Sequence, residues 1–232
     1  ENRQDISISL EEFEVSNTTI RALKVLNDST VWYGGSNGSW GYTEDGGKTW
    51  HRDSLIVDGK KLEIRSIEID DDGVVFLVGV ADPAVLLRSE DKGQFWEIVY
   101  QDTAKSAFFD AVIFDGINGF LLGDPQKECF NLLTSSDGGL NWNVVECNSQ
   151  PTALKNEGPF AASNTNVVYR NNNIWFATGG ESGSRVFRSV DNGISWKAYS
   201  TPLVSGQTMT GAFSIDFYND SLGIVAGGNW DS

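Results

Sequence analysis

The chain has 232 residues, 40% of them hydrophobic and 12% aromatic, and a formal net charge of -15. These values indicate a folded globular protein, and so acidic a chain would repel a phosphate backbone, which argues against nucleic acid as a partner. No apolar run approaches the roughly 20 residues that cross a bilayer, so we expect no membrane span.

Short apolar segments alternate with turn residues along the chain, which predicts strands and no helix of useful length. Two kinds of strand recur in the same order. The inner strands are predicted at 19–25, 63–69, 108–114, within 160–169, and at 212–217. The second strands are predicted at 31–34, 74–79, 119–123, 174–179 and 222–227, and each of them ends at a glycine, which is typical of a tight turn.

A segment with the pattern Ser/Thr-x-Asp-x-Gly-x-x-Trp occurs four times, with its aspartates 46, 46 and 54 residues apart. This is the period of a four-stranded propeller blade. Glycine supplies a positive φ, the carboxylate accepts backbone N–H bonds that close a turn, and the Trp packs against apolar surface. We therefore predict a structural role, and not catalysis or metal binding, for Asp45, Gly47, Trp50, Asp91, Gly93, Trp96, Asp137, Gly139, Trp142, Asp191, Gly193 and Trp196.

These four segments resemble the Asp-box, or BNR, repeats of sialidases, of sortilin-type receptor domains and of propellers similar to the photosystem II assembly factor Ycf48. The resemblance covers residues from about 12 to the end. It implies an all-β fold, a β-propeller of four-stranded blades, over a single domain from 1 to 232. It does not imply one function, because Asp-box propellers include hydrolases, receptors and assembly factors. An oxidoreductase activity has no support, since the sequence has no GxGxxG turn opening a helix and no CxxC.

The strand cycle divides the chain into about four and a half blades. Propellers of this kind usually have six or seven blades, so we expect the parent protein to be longer than this sequence. We also expect the segment from Ile8 to Val15 to supply an outer strand that closes the ring. The blades are predicted at approximately 19–58, 62–102, 107–148 and 159–200, with a partial blade at 210–232.

Cys129 and Cys147 are the only cysteines, and they lie symmetrically about the turn residue Gly138. If that turn joins two antiparallel strands, the two thiols face each other and can form a disulfide; otherwise they are buried thiols. A disulfide favours a periplasmic or extracellular location. The sequence begins at Glu1 and not at Met, from which we expect that a leader has been removed.

The loops opposite the boxes crowd around the central channel and are the expected ligand face. Arg21, Arg65 and Asp110 lie at equivalent positions near the starts of inner strands, and guanidinium groups bind carboxylates in bidentate fashion. A sugar acid or an acidic peptide is therefore a candidate ligand. Alternatively, the two arginines only pair with Asp110 inside a polar channel. The full set of ligand-binding candidates is Arg21, Arg65, Asp82, Asp110, Asp124 and Glu181, of which Asp82 and Asp124 also suit turns before proline.

Two functions remain open on the sequence alone. The first is a noncatalytic binding or assembly propeller for a protein or glycan. The second is a glycoside hydrolase of the sialidase type with an incomplete catalytic set, for which Asp110 and Glu157 are the catalytic candidates. The context Ile20-Arg21-Ala22-Leu23 lacks the proline of the sialidase arginine motif, which weakens that resemblance. We expect no cofactor and no obligatory metal, because zinc spacings and EF-hand loops are missing from the sequence.

Overall fold

The structure is a computed structural model that describes residues 10, 12–161 and 165–231. Over these residues the chain consists of antiparallel strands and two short 3₁₀ helices, Ser36–Gly38 and Cys147–Ser149. No helix in this part of the chain is long and apolar enough to span a membrane. The prediction of an all-β fold is therefore confirmed.

The first three sheets have four strands each, ordered in space as they are in the chain. Sheet one contains β1 (Ile20–Val25), β2 (Val31–Gly35), β3 (Ser39–Thr43) and β4 (His51–Ser54), and a small hairpin of β5 (Ile56–Val57) and β6 (Lys60–Lys61) follows. Sheet two contains β7 (Ile64–Ile69), β8 (Val75–Gly79), β9 (Ala84–Ser89) and β10 (Glu97–Asp102). Sheet three contains β11 (Phe109–Asp115), β12 (Asn118–Gln126), β13 (Cys129–Ser135) and β14 (Asn143–Val144).

The fourth sheet is larger because strands from two units meet in it. It contains β15 (Glu157–Gly158), β16 (Val167–Arg170), β17 (Asn173–Gly180), β18 (Arg185–Ser189), β19 (Lys197–Ser200), β20 (Thr210–Phe217) and β21 (Gly223–Asn229). Strands β16 to β19 repeat the four-stranded arrangement, and β17 joins β20 through the single pair Gly179 and Gly211. We call sheets one to three and the β16–β19 unit blades one to four.

The middle strands of the blades are buried on both faces because each blade packs between two neighbours. Every residue of β8 and of β9 is buried. This explains why these segments read as continuous apolar runs and not as an alternation of apolar and polar residues. Apolar clusters fill the spaces between successive units, around Trp32 and Ile67, Phe76 and Phe109, Phe120 and Phe176, and Trp175 and Ile215.

Each repeated segment, called a box below, forms the loop between the third and fourth strand of its blade. The same three hydrogen bonds recur in all four boxes, as the first shows. The Thr43 hydroxyl donates to Asp45 Oδ1 over 2.9 Å, and it accepts the Gly47 N–H over 2.9 Å. The Thr49 N–H donates to the same Asp45 oxygen over 2.9 Å. Such bonds satisfy the backbone of a tight loop from within.

The boxes also attach each blade to the one before it. In box two, Gly93 lies so close to the Trp40 ring of blade one that any Cβ at this position would collide with it. Gly139 of box three lies against Phe76 of blade two in the same way. Both glycines have a positive φ, 83° and 75°, which other residues resist.

The N-terminal segment differs from its prediction. Residues 8, 9 and 11 lie outside the described part of the chain, and residues 10 and 12–15 form no strand. Phe13 instead packs on box one, with its ring centroid 6.2 Å from that of Trp50. The segment is anchored by side-chain packing and by a 3.4 Å bond from Arg52 Nη1 to the Glu14 carbonyl, and not by a backbone ladder.

Four of the second strands run past their predicted ends. Strands β2 and β17 each end one residue later, at a second glycine, Gly35 and Gly180. The expectation that each second strand ends at a glycine is wrong for β12, which continues to Gln126, and for β21, which continues to Asn229. In β12 a bulge at Asp124 restores the register, so that Pro125 still lies opposite Phe130. A bulge absorbs one extra residue without ending the pairing of two strands.

Cys129 and Cys147 are joined by a disulfide, with their Cα atoms 5.5 Å apart. Cys129 begins β13, but Cys147 lies in a 3₁₀ helix beyond the short strand β14. The two residues therefore do not face each other as a ladder pair, although the hairpin brings them together. The cross-link closes the box-three hairpin. It also fixes the start of the insert, residues 148–159, that precedes blade four.

Replacing both cysteines, Cys129→Ser with Cys147→Ser, is expected to lower the free energy of unfolding by about 3 kcal/mol. The reason is that the bond closes a loop of 18 residues, and its loss restores that loop's freedom in the unfolded chain. Urea unfolding under oxidising conditions measures the difference. The expectation would be contradicted if the double variant and the parent had the same urea midpoint. It would also be contradicted if a reductant left the urea midpoint of the parent unchanged.

Candidate functional site

The inner strands of three blades carry a β-bulge at the same place, and the sequence-predicted site residues occupy these bulges. Arg21 is the bulged residue of β1, Arg65 that of β7 and Asp110 that of β11. A bulge re-aims the side chain of the extra residue. The fifth unit has Phe213 at the corresponding bulge of β20. Four of the inner strands thus place one variable side chain at the end opposite the boxes, whereas β16 of blade four pairs in regular register. We call the surface around Arg21 and Arg65 the arginine mouth.

Arg65 and Asp110 are neighbours without being an ion pair. Among the described residues neither Arg21 nor Arg65 forms an ion pair with a carboxylate. The Arg65 guanidinium carbon lies 5.7 Å from the centroid of the Phe108 ring, and its buried Nε has no hydrogen-bond partner. The cation–π contact with Phe108 orients the Arg65 guanidinium but uses none of its N–H donors. Arg21 is exposed.

Asp110 is the most unusual polar group of this face. Its side chain is buried, with the residue 1% exposed, and neither carboxyl oxygen has a hydrogen-bond partner among the residues that the structure describes. Burial raises the pKa of Asp110 well above its ordinary value, the nearby Asp124 charge raises it further, and Arg65 lowers it. Burial also raises the pKa of Asp124 to about 6. Proximity and desolvation therefore favour a protonated Asp110.

A cleft of about 580 Å³ opens beside this pair. Asp124 and Glu181 both line it, together with Pro125, Phe160 and Met209. Glu181 accepts hydrogen bonds from Asn156 Nδ2 over 2.7 Å and from Thr208 Oγ1 over 3.2 Å, which lower its pKa. The cleft combines a few polar groups with apolar walls, as ligand sites commonly do. Phe160 and Thr208 cannot be identified from the sequence, because only the fold brings their loops to Asp124.

Asp82 lies apart from this group. Its carboxylate is exposed and accepts a 2.7 Å hydrogen bond from Lys60 Nζ in the β5–β6 hairpin, which lowers its pKa. Arg21, Arg65, Asp82 and Asp110 do not line the cleft of Asp124 and Glu181. The structure therefore brings the candidates together in part: Arg65, Asp110 and Asp124 interact, Glu181 shares the cleft with Asp124, and Arg21 and Asp82 are peripheral.

Glu157, proposed from the sequence as a catalytic carboxylate in a loop, is instead buried in β15. Its carboxylate pairs with Nε and Nη2 of Arg185 and accepts the Thr178 hydroxyl over 2.7 Å. It also accepts the Leu154 N–H over 2.8 Å. All its bonding capacity is used to hold the insert against blade four. Arg185 could not be identified beforehand, since it begins an ordinary strand 28 residues later in the chain.

The side chains of the described residues form no cluster that could hold a metal ion. In the ranges 12–161 and 165–231, with residue 10, no three His, Cys, Asp or Glu side chains come close enough to bind one ion. Asp45 and the other box aspartates face their own loops. Their hydrogen bonds lower the pKa of Asp45 and of Asp137 to about 2.

Comparison with known proteins supports the fold. The model of the family described as the BNR/Asp-box repeat matches residues 42–52, which contain box one. No curated protein sequence matches the chain. The chain is similar to several solved propeller structures, and it has a β-propeller fold with a BNR/Asp-box repeat at box one.

Three of the similar structures show how much of each protein the chain spans. YCF48 from Cyanidioschyzon merolae is 16% identical, with 89% of this chain and 63% of that one covered and a TM-score of 0.57. A GH74 enzyme from Niastella koreensis is 16% identical, with 90% and 28% covered and a TM-score of 0.54. The GH74 xyloglucanase from Xanthomonas campestris is 12% identical, with 90% and 44% covered and a TM-score of 0.51. The chain therefore spans less than two thirds of each.

The substitution Glu157→Gln is expected to lower the free energy of unfolding by about 3 kcal/mol, because it leaves the Arg185 charge buried without its counter-charge. Chemical denaturation at neutral pH measures the effect. The control Asp82→Asn removes an exposed pair and should leave stability unchanged. An equally stable Glu157→Gln variant would mean that the carboxylate does not hold the insert.

The substitution Asp124→Asn is expected to stabilise the protein at pH 8 by about 1 to 2 kcal/mol and to have no effect at pH 4. The pKa of Asp124 is about 6 in the folded protein and near 4 in the unfolded chain. The contribution of the protonated Asp124 carboxyl to stability is therefore complete below pH 4 and is lost as the pH rises through 6. Urea unfolding at pH 4, 6 and 8 measures the trend. Glu181→Gln, whose carboxylate has a lowered pKa, should show no gain at pH 8.

Proposed function

We propose that this chain is a noncatalytic binding or assembly propeller, which holds a protein or glycan ligand on the face opposite the boxes. The observation that carries the proposal is the pair of arginines, Arg21 and Arg65, at the same bulge of neighbouring blades. Neither is neutralised by an ion pair in the described part of the chain. Such donors suit a carboxylate supplied from outside.

The environment of these arginines supports a ligand with both charged and apolar parts. Phe108 lies beneath the Arg65 guanidinium, and the cleft of Asp124 and Glu181 adds Phe160 and Met209. A sugar acid presents a carboxylate and a ring, and an acidic peptide presents carboxylates on an apolar backbone. The disulfide between Cys129 and Cys147 favours a periplasmic or extracellular location, where such ligands are met.

The carboxylates favour binding over hydrolysis. A glycosidase needs two carboxyl groups that face the same substrate. Asp110 is buried, with 1% of the residue exposed. Three carboxylic residues line the cleft, Asp124, Glu157 and Glu181. The Glu157 carboxylate is already bound to Arg185 and Thr178. Asp124 has a raised pKa, whereas Glu181 has a lowered pKa and two hydrogen bonds from its neighbours. The resemblance to GH74 enzymes concerns the fold and supplies no catalytic pair.

We expect the double variant Arg21→Ala with Arg65→Ala to weaken the binding of an acidic probe by tenfold or more. The probes are a glutamate pentapeptide and a trigalacturonate, each compared with its uncharged counterpart, glutamine pentapeptide or neutral trisaccharide. Isothermal titration calorimetry measures the affinities. Each lost guanidinium removes a charge-assisted hydrogen bond of about 1.5 kcal/mol or more.

The matched control is Lys48→Ala with Lys197→Ala, which removes the same charge from exposed positions elsewhere. It should leave the affinities nearly unchanged. Equal losses in both double variants would mean that only net charge matters, and would overturn the arginine site. Release of reducing sugar from the trigalacturonate, abolished by Asp110→Asn, would replace binding with hydrolysis as the function.

A further inference from the structure

Box two departs from the other three boxes at a position where the departure weakens the fold. In boxes one, three and four, the residue before the Trp donates a side-chain hydrogen bond to the second oxygen of the box aspartate. The donors are Thr49, Asn141 and Ser195, over 2.6, 2.7 and 2.6 Å. Box two has Phe95 there, whose side chain has no donor, and the Nε1 of Trp96 also lacks a partner in the described part of the chain.

Phe95 gains little from packing in exchange for this hydrogen bond. Its backbone N–H donates to Asp91 as in the other boxes, but the residue is 70% exposed. A large aromatic side chain in water contributes no burial energy. The structure of the box therefore does not explain why Phe95 stands where its three equivalents are polar.

A groove explains the position of Phe95 better than the box does. Phe95 and Leu140, which is 52% exposed and belongs to box three, line one depression of about 520 Å³ between blades two and three. Leu140 is the residue after the box glycine, where the hydrogen bonds of the box make no demand on the side chain. Two apolar residues from successive boxes thus converge on a single surface feature.

The border of this groove is acidic. Glu90, Asp91 and Glu97 line it, against one guanidinium, that of Arg88, which is bound to Glu90 over 2.7 Å. The hydrogen bond from the Phe95 N–H is the largest cause that lowers the pKa of Asp91, so this carboxylate stays charged at neutral pH. Asp71 and Asp72, exposed in the β7–β8 turn, lie at the same end of blade two.

We propose that this groove, defined by Phe95, Leu140, Glu90 and Glu97, is a docking site for a basic, apolar-anchored segment of a partner protein. The apolar anchor enters between Phe95 and Leu140, and flanking lysines or arginines meet the acidic border. A second copy of this chain is not the occupant, because a chain with a net charge of -15 repels its own acidic surface. The site lies on the box face and is separate from the arginine mouth.

The experiment uses Phe95→Thr, which gives box two the residue that box one has. The variant should be as stable as the parent or more stable, because the new hydroxyl can donate to Asp91 as Thr49 does to Asp45. Thermal unfolding checks this first. A less stable variant would show that the fold requires Phe95 and would overturn the argument for docking.

Binding is then measured with a defined probe, a blocked heptapeptide with Lys at odd positions and Leu, Phe and Leu at even positions. In an NMR titration with this probe, the backbone amide chemical shifts of residues 88–97 and 140 should change. The substitution Phe95→Thr should weaken the affinity for the probe about tenfold, which corresponds to about 1.4 kcal/mol. Raising the salt concentration should weaken binding further, since the border contributes through exposed charges.

The matched control is Ile194→Thr, an equally exposed apolar residue of box four that lies outside the groove. It should bind the probe as the parent does. The proposal would be overturned if Phe95→Thr bound the probe as the parent does, or if the chemical shifts changed only around Arg21 and Arg65. It would also be overturned if a peptide with Glu in place of Lys bound equally well. Concentration-dependent dimerisation that Phe95→Thr abolishes would replace the basic partner with a second copy.

Discussion

The hydrogen-bonded box is the constraint on which the rest of this fold depends. A hydroxyl and a carboxylate, such as Ser135 and Asp137, bind each other over 2.8 Å and between them accept the N–H groups of the loop. The loop is thereby rigid enough to hold a glycine against an aromatic ring of the preceding blade, as Gly139 lies against Phe76. The Trp that follows packs against the preceding blade, as in box two, where the Trp96 ring centroid lies 5.2 Å from that of Trp40 in blade one. One local motif therefore fixes the distance between neighbouring sheets.

The opposite end of each blade is governed by a second repeated device, the bulge of the inner strand. Because the boxes hold the blades at a regular spacing, equivalent bulges lie beside one another around the channel. Arg65 and Asp110 are equivalent in this sense, and Asp124 reaches them from a bulge in the second strand of blade three. A buried, unbonded carboxyl beside an unpaired guanidinium costs stability. Such a cost is tolerated only because the surrounding blades are fully packed.

The repeat explains what could be predicted from the sequence. The box residues were identifiable because every bond of the box lies within five residues, and the equivalence of Arg21, Arg65 and Asp110 follows from the period. The environment of Glu157 could not be predicted, because a buried ion pair with Arg185 depends on the fold and leaves no mark in the local sequence. The extension of β12 was missed for a related reason, since Asp124-Pro125 reads as a turn unless the pairing of Pro125 with Phe130 is known.

The hydrogen bonds of the box also determine at which box positions the side chain can vary in a propeller of this kind. The hydroxyl residue, the aspartate and the glycine make the same contacts in all four boxes, and the residue before the Trp bonds to the aspartate in three of them. The residue after the glycine is free to differ, and the residue before the Trp differs in box two. Box three carries Leu140 where box one has Lys48, and box two carries Phe95 where box one has Thr49. The same scaffold can therefore present different chemistry at each box, just as the bulges present different side chains at the mouth. Because the blades between the two faces are rigidly packed, a ligand on one face has no need to displace a ligand on the other.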